Sequence, residues 1–532
     1  MSARSHSPTV LSSPGKVLLA GGYLVLDPAH SGVVVSTSSR FYTVIHSLTA
    51  PLAPTSSQSA DAPIQIRVRS PQFEHASWLY FVDFDGPGSV RVEHVADNAN
   101  SAANKNKFVH LALQRTLTLA AELKSVGTLR NSLSYGLDIT IVGDNDFYSQ
   151  RAQLTAKNLP PTLASLSKLP PFSKTGVRLA DVHKTGLGSS AALITSLVSA
   201  LLLHLHVIPA DAFEGGSGTA DASEGRKLAH NLAQYVHCLA QGKVGSGFDV
   251  SAAVFGSQLY TRFDPAVLEP LMKDDLADQP LHPVLSPSNP AWNYRVEPFK
   301  LPPQTRLMLA DVDAGSDTPS LVGKVLKWRK ETPEEANALW AKIDALNSAL
   351  SRTLLRLSDV AAKNATAYRK AVKYISTIQS VQWLANPNIA DNEHHSALKE
   401  VIEGFIDAHN LSEDIRENMR TMGQRADVPI EPPEQTALLD ACISVAGVIG
   451  GGVPGAGGYD AIWLLVCDPV GCPPEELPAS RVERVWSTYA GLDVSPLLAS
   501  ESAAKGVRVE RLEDVPGLAD AVREEAPSIS GA

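Results

Sequence analysis

Residues 184–192 read Lys184-Thr185-Gly186-Leu187-Gly188-Ser189-Ser190-Ala191-Ala192, and their chemistry suits an anion. The two glycines let backbone N–H groups converge with no Cβ in the way. The apolar run that starts near Ser190 predicts a helix, whose N-terminus carries unsatisfied donors and a partial positive charge. Ser189 and Ser190 add hydroxyls able to meet phosphate oxygens or a metal ion. Helix capping would account for one serine. Two glycines, two serines and two alanines in this order favour a phosphate loop. Two other charged residues lie in glycine-rich surroundings. Lys243-Val244-Gly245-Ser246-Gly247-Phe248-Asp249 holds an acid in what alone reads as a turn. Ser13-Pro14-Gly15-Lys16 places a lysine before the first apolar segment, where alone it reads as solvated.

Competing glycine motifs fail on context. Gly186–Ala191 fits G-x-G-x-x-A and Gly450–Gly455 fits G-x-G-x-x-G. A dinucleotide fold needs strand, loop, helix, strand and then an acid. The first match lacks the second strand and its acid. The second precedes a strand and is interrupted by Pro454. No G-x-x-x-x-G-K-[ST] occurs, so this is not a P-loop chain.

The elements that must position these residues are mixed. Val17–Leu26, Val33–Ser36, Phe41–Ile45, Ile64–Val68, Leu137–Val142, Val177–Val182, Arg306–Val312 and Asp460–Cys467 predict strands. Phe108–Leu123, Glu224–Gln241, Glu334–Leu357, Ala361–Ile378, Glu393–His409 and Gln435–Val448 predict helices. Val250–Arg262 opens on small residues and ends strand-like. Ala50–Ala62 and Asp211–Ser223 read as loops, and Tyr148–Lys174 as a long loop of the kind that often forms a lid. Pro283, Pro287 and Pro290 make Leu281–Trp292 the best linker, and the tail after Asp514 is expected to fray. Strands and helices do not strictly alternate, which favours α+β over a doubly wound sheet.

Composition narrows the class. The 532 residues suit two to four domains, and 44% hydrophobic against 19% charged residues exclude wholesale disorder. A net charge of −10 argues against a dedicated nucleic-acid binder. The four cysteines form no C-x-x-C pair and no zinc spacing, as in a reducing compartment. No secretory or transit pattern opens the chain. The most apolar stretch, Ala191–Ile208, is too short and too polar to span a bilayer. A soluble, cytoplasmic protein without membrane insertion is expected.

Three segments together resemble the GHMP kinase superfamily, in that family's order. They are Ser13-Pro14-Gly15-Lys16-Val17-Leu18-Leu19-Ala20-Gly21-Gly22-Tyr23-Leu24-Val25-Leu26, the Gly186–Ala192 loop, and Val453-Pro454-Gly455-Ala456-Gly457-Gly458-Tyr459-Asp460. Ala20–Asp27, Gly245–Val250, Trp78-Leu79-Tyr80, Asn231–Gln234, His237-Cys238 and Gly315-Ser316 with Lys324 are similar to the fungal-type phosphomevalonate kinases. The resemblance implies a ribosomal-protein-S5-like domain over 1–290 and a ferredoxin-like domain over 291–532. It implies transfer of the ATP γ-phosphoryl group to the phosphate of (R)-5-phosphomevalonate, in isoprenoid and sterol synthesis, with Mg²⁺. Lys184 through Ala192 would bind ATP, Ser190 would contact the metal, and Lys16 and Asp249 would be catalytic. The acceptor's phosphate and carboxylate need cations and donors. Lys243, Lys324, Ser246 and Ser316 are the candidates, with Arg178 and Lys184 further cations. Asn104, Lys105 and Asn106 are candidates for the base or ribose.

The chain departs from mevalonate-kinase-like members in lacking their Gly-Glu-His after the first strand and in one further position. Their metal-ligand Glu, on the helix before the acid loop, falls at Cys238, beside His237. Another small-molecule kinase of this fold, with mevalonate as acceptor, and a non-catalytic ligand sensor are the alternatives.

Overall fold

The computed structural model describes residues 7–49, 64–86, 89–95, 106–216, 218–272, 279–312, 318–383, 396–503 and 506–523. Thirteen strands form two sheets among them. They are β1 (Thr9–Ala20), β2 (Ser31–Ser47), β3 (Ile64–Arg69), β4 (Ser77–Gly86), β5 (Ser89–His94), β6 (Leu137–Gly143), β7 (Gln258–Thr261), β8 (Arg295–Pro298), β9 (Thr305–Val312), β10 (Val448–Gly452), β11 (Ala461–Cys467), β12 (Val494–Leu497) and β13 (Arg508–Val509). The larger sheet has nine strands in the order β13-β1-β2-β6-β3-β4-β5, with β7 on β2 and β8 on β7. Only β3 against β6 is parallel among these pairs. The smaller sheet runs β10-β11-β9-β12 and is antiparallel throughout. The mixture agrees with the α+β expectation.

β2 differs from its sequence reading. Two strands were predicted there, because Thr37–Arg40 is polar. In the structure these residues continue one strand; Ser38 is exposed, while Thr37, Ser39 and Arg40 are buried with hydrogen-bond partners. Arg40 donates to Ser12 Oγ at 2.6 Å and to the carbonyl of Gly506 at 2.6 Å. Ser39 Oγ donates to Asp146 at 2.6 Å.

The helices Lys107–Leu123, Ser189–His204 and Glu224–Gln241 cover the large sheet and share its core. The small sheet shows why period two matters: successive side chains point to opposite faces. Leu307, Leu309, Trp463 and Leu465 join the main core. Met308, Ala310, Ile462, Leu464 and Val466 face the helices Pro433–Ile443 and Pro478–Thr488. β8 and β13 lie beyond residue 290 yet belong to the large sheet.

Several expected elements are corrected. Val177–Val182 is not a strand: it makes a single bridge, Arg178 to Glu74, and Val177 is exposed. Tyr148–Lys174 contains the short helices Arg151–Ala156 and Leu163–Leu166. Arg151 donates to the carbonyls of Asp311 and Asp493, and Leu163 N–H to Glu483 Oε1 at 2.9 Å, so this segment is fastened to the small sheet. Leu281–Trp292 is no linker. Leu281, Leu285 and Trp292 are buried, and Glu122 accepts from the backbone of Leu281 and His282, at 2.7 Å each. Past Asp514, the short helix Leu518–Val522 buries Leu518 and Val522 against Val10, Tyr42 and Phe172. The expected Ala50–Ala62 loop lies outside the described residues.

Candidate active site

Lys16 lies within β1 rather than before it. The pairing register with β2 shifts between Pro14 and Lys16. Such an irregularity re-aims side chains locally. Lys16 then reaches the predicted phosphate loop: its N–H bonds Leu187 O at 2.9 Å and its Nζ bonds Gly186 O at 2.9 Å. Burial pushes its ammonium below the ordinary lysine value, and the charge of Asp249 opposes that fall.

The loop itself ends in Gly188, which has φ +79° and stands immediately before the helix Ser189–His204. Left-handed backbone favours glycine there, and a Cβ at Gly188 would sit 3.0 Å from Lys16 Cε. Ser189 and Ser190 therefore occupy the first helical turn, where backbone donors are unsatisfied. Thr185 is buried and holds Asp146 and Phe147. Leu187, Ala191 and Ala192 are buried as well. Gly186, Gly188, Ser189 and Ser190 form the open part of the loop.

A second helix N-terminus faces the same place. Gly247 precedes the helix Phe248–Phe255, so Asp249 stands in its first turn. The loop before it is anchored from below. Arg262 donates to Gly245 O at 2.5 Å and to Leu26 O at 2.5 Å. Tyr260 OH donates to Ser246 O at 2.8 Å, and Gln234 to Gly247 O at 2.7 Å. Buried Arg262 thus ties the acid loop to the end of the first motif.

The third motif closes the other wall. Tyr23 OH donates to Ala456 O at 2.7 Å. Gly457 has φ +79°, and a Cβ there would lie 2.1 Å from Ile430 O. That close approach is what a side chain would forbid. The result is a cleft of about 790 Å³, open to solvent, lined by Lys16, Tyr23, Gly186, Ser246, Phe248 and the 454–457 turn, among others. Segments more than 400 residues apart in sequence meet there. Lys16 is the one cation among its described lining residues.

The other sequence candidates lie elsewhere. Lys243 is exposed just past the end of the helix Glu224–Gln241. Lys324 is half exposed and bonds Asp427 O at 3.3 Å. Lys184 is exposed beside the loop. Arg178 pairs with Asp181 on the surface. Asn106 caps the helix Lys107–Leu123. Ser316, Asn104 and Lys105 lie outside the described residues.

Sequence reading passed over Gln241 and Arg262, and it named His237 without giving it a role. His237, not Cys238, faces the loop: its Nε2 lies 3.1 Å from Ser190 Oγ and 3.7 Å from Asp249 Oδ2. Cys238 is buried and turned to Gly245 N–H, with its thiol pushed up to about 11 by burial. The His237-Cys238 pair signalled the position; the rotation of the helix settles which side chain points in. No group of three or more His, Cys, Asp or Glu among the described residues is placed to hold a metal ion by itself. One carboxylate and one hydroxyl beside helix N-termini suit a Mg²⁺ ion that takes its other ligands from phosphates and water.

Gly188→Ala tests this construction. Its Cβ meets Lys16, and a displacement of about 1 Å costs roughly 10²-fold in rate. Steady-state kinetics should show kcat reduced by that order. Wild-type kcat would mean that Lys16 is not held against this loop.

The description "GHMP kinases C terminal" matches residues 396–490. The chain is 38% identical over 496 residues to "Phosphomevalonate kinase, peroxisomal" of Arabidopsis thaliana, covering 90% of this chain and 92% of that one. It is 36% identical over 542 residues to phosphomevalonate kinase erg8 of Aspergillus fumigatus, covering 96% and 98%. Among solved structures, a Lin0012 protein from Listeria innocua superposes with TM-score 0.55 at 14% identity, covering 95% of this chain and 99% of that one. Streptococcus pneumoniae phosphomevalonate kinase in complex with phosphomevalonate and AMPPNP gives TM-score 0.50 at 15% identity, covering 93% and 99%.

Proposed function

The chain belongs to the phosphomevalonate kinases of the GHMP kinase family, and from that premise we propose how its cleft works. The enzyme transfers the γ-phosphoryl group of ATP to the phosphate of (R)-5-phosphomevalonate, giving (R)-5-diphosphomevalonate and ADP in the mevalonate pathway. Its fold is the GHMP kinase fold. The observation that carries the site assignment is the meeting of all three motifs around Lys16 in one cleft.

An acceptor phosphate oxygen attacks the γ-phosphorus while the bond to the β–γ bridging oxygen breaks, and ADP leaves with that oxygen. The acceptor's second pKa is about 6, so it arrives ionised and needs no general base. Phosphoryl transfer then depends on positioning and on charge stabilisation. Lys16 sets its ammonium between the two anions. The backbone N–H groups of Gly186, Gly188, Ser189 and Ser190 hold the ATP phosphates at one helix N-terminus. Lys184, Thr185, Leu187, Ala191 and Ala192 complete and support that loop. Asp249 orients Lys16, whose charge it favours. Ser190 and Asp249 would hold Mg²⁺ together with ATP and water, and the ion would supply charge neutralisation to the phosphates. Ser246 lines the cleft as an acceptor-side donor. Ser316, Lys243 and Lys324 remain proposed acceptor contacts, which the last two would reach only by moving.

We further propose that residues 1–290 and 291–532 are the two GHMP domains, with β8 and β13 returning to the first sheet. A cytoplasmic location is part of this reading, supported by four free cysteines. No helix among the described residues is long and apolar enough to cross a membrane.

ADP release is measured with Mg²⁺ and phosphomevalonate, mevalonate, homoserine or galactose in parallel. Turnover on phosphomevalonate alone is expected. Turnover on mevalonate would overturn the acceptor, and nucleotide binding without any turnover would make the chain a sensor.

A further inference from the structure

His237 has no part in the steps above, yet it stands between two residues that do. Its side chain is 5% exposed, so water does not compete for its ring. Nε2 lies 3.1 Å from Ser190 Oγ, 3.1 Å from Gln241 Nε2 and 3.7 Å from Asp249 Oδ2. Gln241 is one turn further along the same helix, so the two side chains share a face. Asp249 Oδ1 accepts from Val250 N–H at 2.9 Å, which leaves Oδ2 on the His237 side.

The hydrogen bonds have a direction. With the ring proton on Nδ1, Nε2 is the acceptor on this side, and Gln241 Nε2 and Ser190 Oγ share it as donors. Ser190 can then bond the ring only as a donor. Its proton turns inward to the imidazole and its lone pairs turn outward, to the helix N-terminus. A freely rotating hydroxyl would offer the nucleotide either a proton or a lone pair. Held this way it offers lone pairs, which attract a cation and repel a phosphate oxygen.

We propose that His237 is a positioning residue that turns the Ser190 hydroxyl toward the divalent cation of the nucleotide, with Gln241 fixing the ring that does so. The inference rests on the reading of Ser190 as a metal contact. The cation's ligand is then the serine, and the histidine sets its direction. Groups that orient a metal ligand typically contribute 10- to 100-fold to affinity or activity.

The test is a double-mutant cycle of His237→Leu with Ser190→Ala. Its readout is Mn²⁺ binding, by electron paramagnetic resonance, to the complex with a non-hydrolysable ATP analogue. No acceptor is present. His237→Leu should weaken Mn²⁺ binding by roughly 10- to 100-fold in the wild-type background. In the Ser190→Ala background it should change binding by less than about twofold, because paired residues are not additive. His237→Gln, whose carboxamide oxygen reaches the place of Nε2, should recover most of the loss. Thermal melting reports the fold of each variant. If the leucine variant does not fold, His237→Asn, too short to reach Ser190, replaces it in the cycle with the same expected loss. Equal loss in both backgrounds, or a glutamine variant as weak as the leucine, overturns the proposal. If the wild type failed to phosphorylate phosphomevalonate while the cycle held, the acceptor would be wrong and this role would stand.

Discussion

Lys16→Met is expected to lower kcat roughly 10³-fold with the fold intact, the scale of losing a charge stabiliser in phosphoryl transfer. The ammonium is anchored at Gly186 O and is the one cation among the described residues that line the cleft. Methionine keeps the stem's bulk against Gly188 and removes the charge. The KM for ATP should move far less, since two helix N-termini still face the polyphosphate. The same lysine predicts a pH limb. Burial lowers its pKa, so its charge is lost as pH rises before the ordinary lysine value of about 10.4. The kcat/KM profile should therefore decline on the alkaline side below that value, and the limb should vanish in Lys16→Met. Steady-state ADP release with circular dichroism checks both. A variant with a tenth or more of wild-type kcat would remove Lys16 from the reaction.

Arg416→Met is expected to destabilise the protein by about 3–5 kcal/mol, the scale for stranding a buried charge. Arg416 and Glu431 are 3% and 1% exposed and bond at 2.7 Å. Arg416 also bonds Glu413 at 2.9 Å and Asp440 at 2.9 Å, and Arg420 gives Glu431 a second cation. Glu431 follows Ile430, whose carbonyl receives Gly458 N–H at 2.9 Å. Loss of the arginine thus loosens the third-motif turn as well. Denaturant unfolding followed by tryptophan fluorescence measures the loss. The replacement of both partners by apolar residues should recover much of it, as buried pairs often allow. A loss under about 1 kcal/mol for the single variant would show that water reaches this network.

The chemistry was more legible in the sequence than the scaffold. Glycines at 188, 247 and 457 mark places where backbone approaches something closely, and their spacing survives as a written pattern. Elements that bury polar residues were not legible. The helix Ser396–Ala426 runs well past His409, where its sequence reading stopped, because Ser412, Arg416 and Asn418 occupy its buried face and hide the 3.6-residue period. β2 was divided for the same reason at Arg40. Val177–Val182 failed in the opposite sense: a strand-like run makes only the Arg178 bridge to Glu74 among the described residues. In Leu281–Trp292 three prolines signalled a linker, while Leu281, Leu285 and Trp292 carried the packing. His237 needed the rotation of its helix, which no local pattern gives.

β13 has a consequence in time. Leu11 in β1 pairs with Val509, and buried Arg40 completes its bonds only at Gly506 O. At synthesis rates of roughly 5–20 residues per second, the strand bearing Lys16 waits about 25–100 s for its neighbour. During that interval one edge of β1 is open, with backbone groups able to pair with another chain. A ribosome stalled before residue 506 therefore presents a nascent chain whose first sheet is unfinished, and chaperones have their longest task at the strand that was made first.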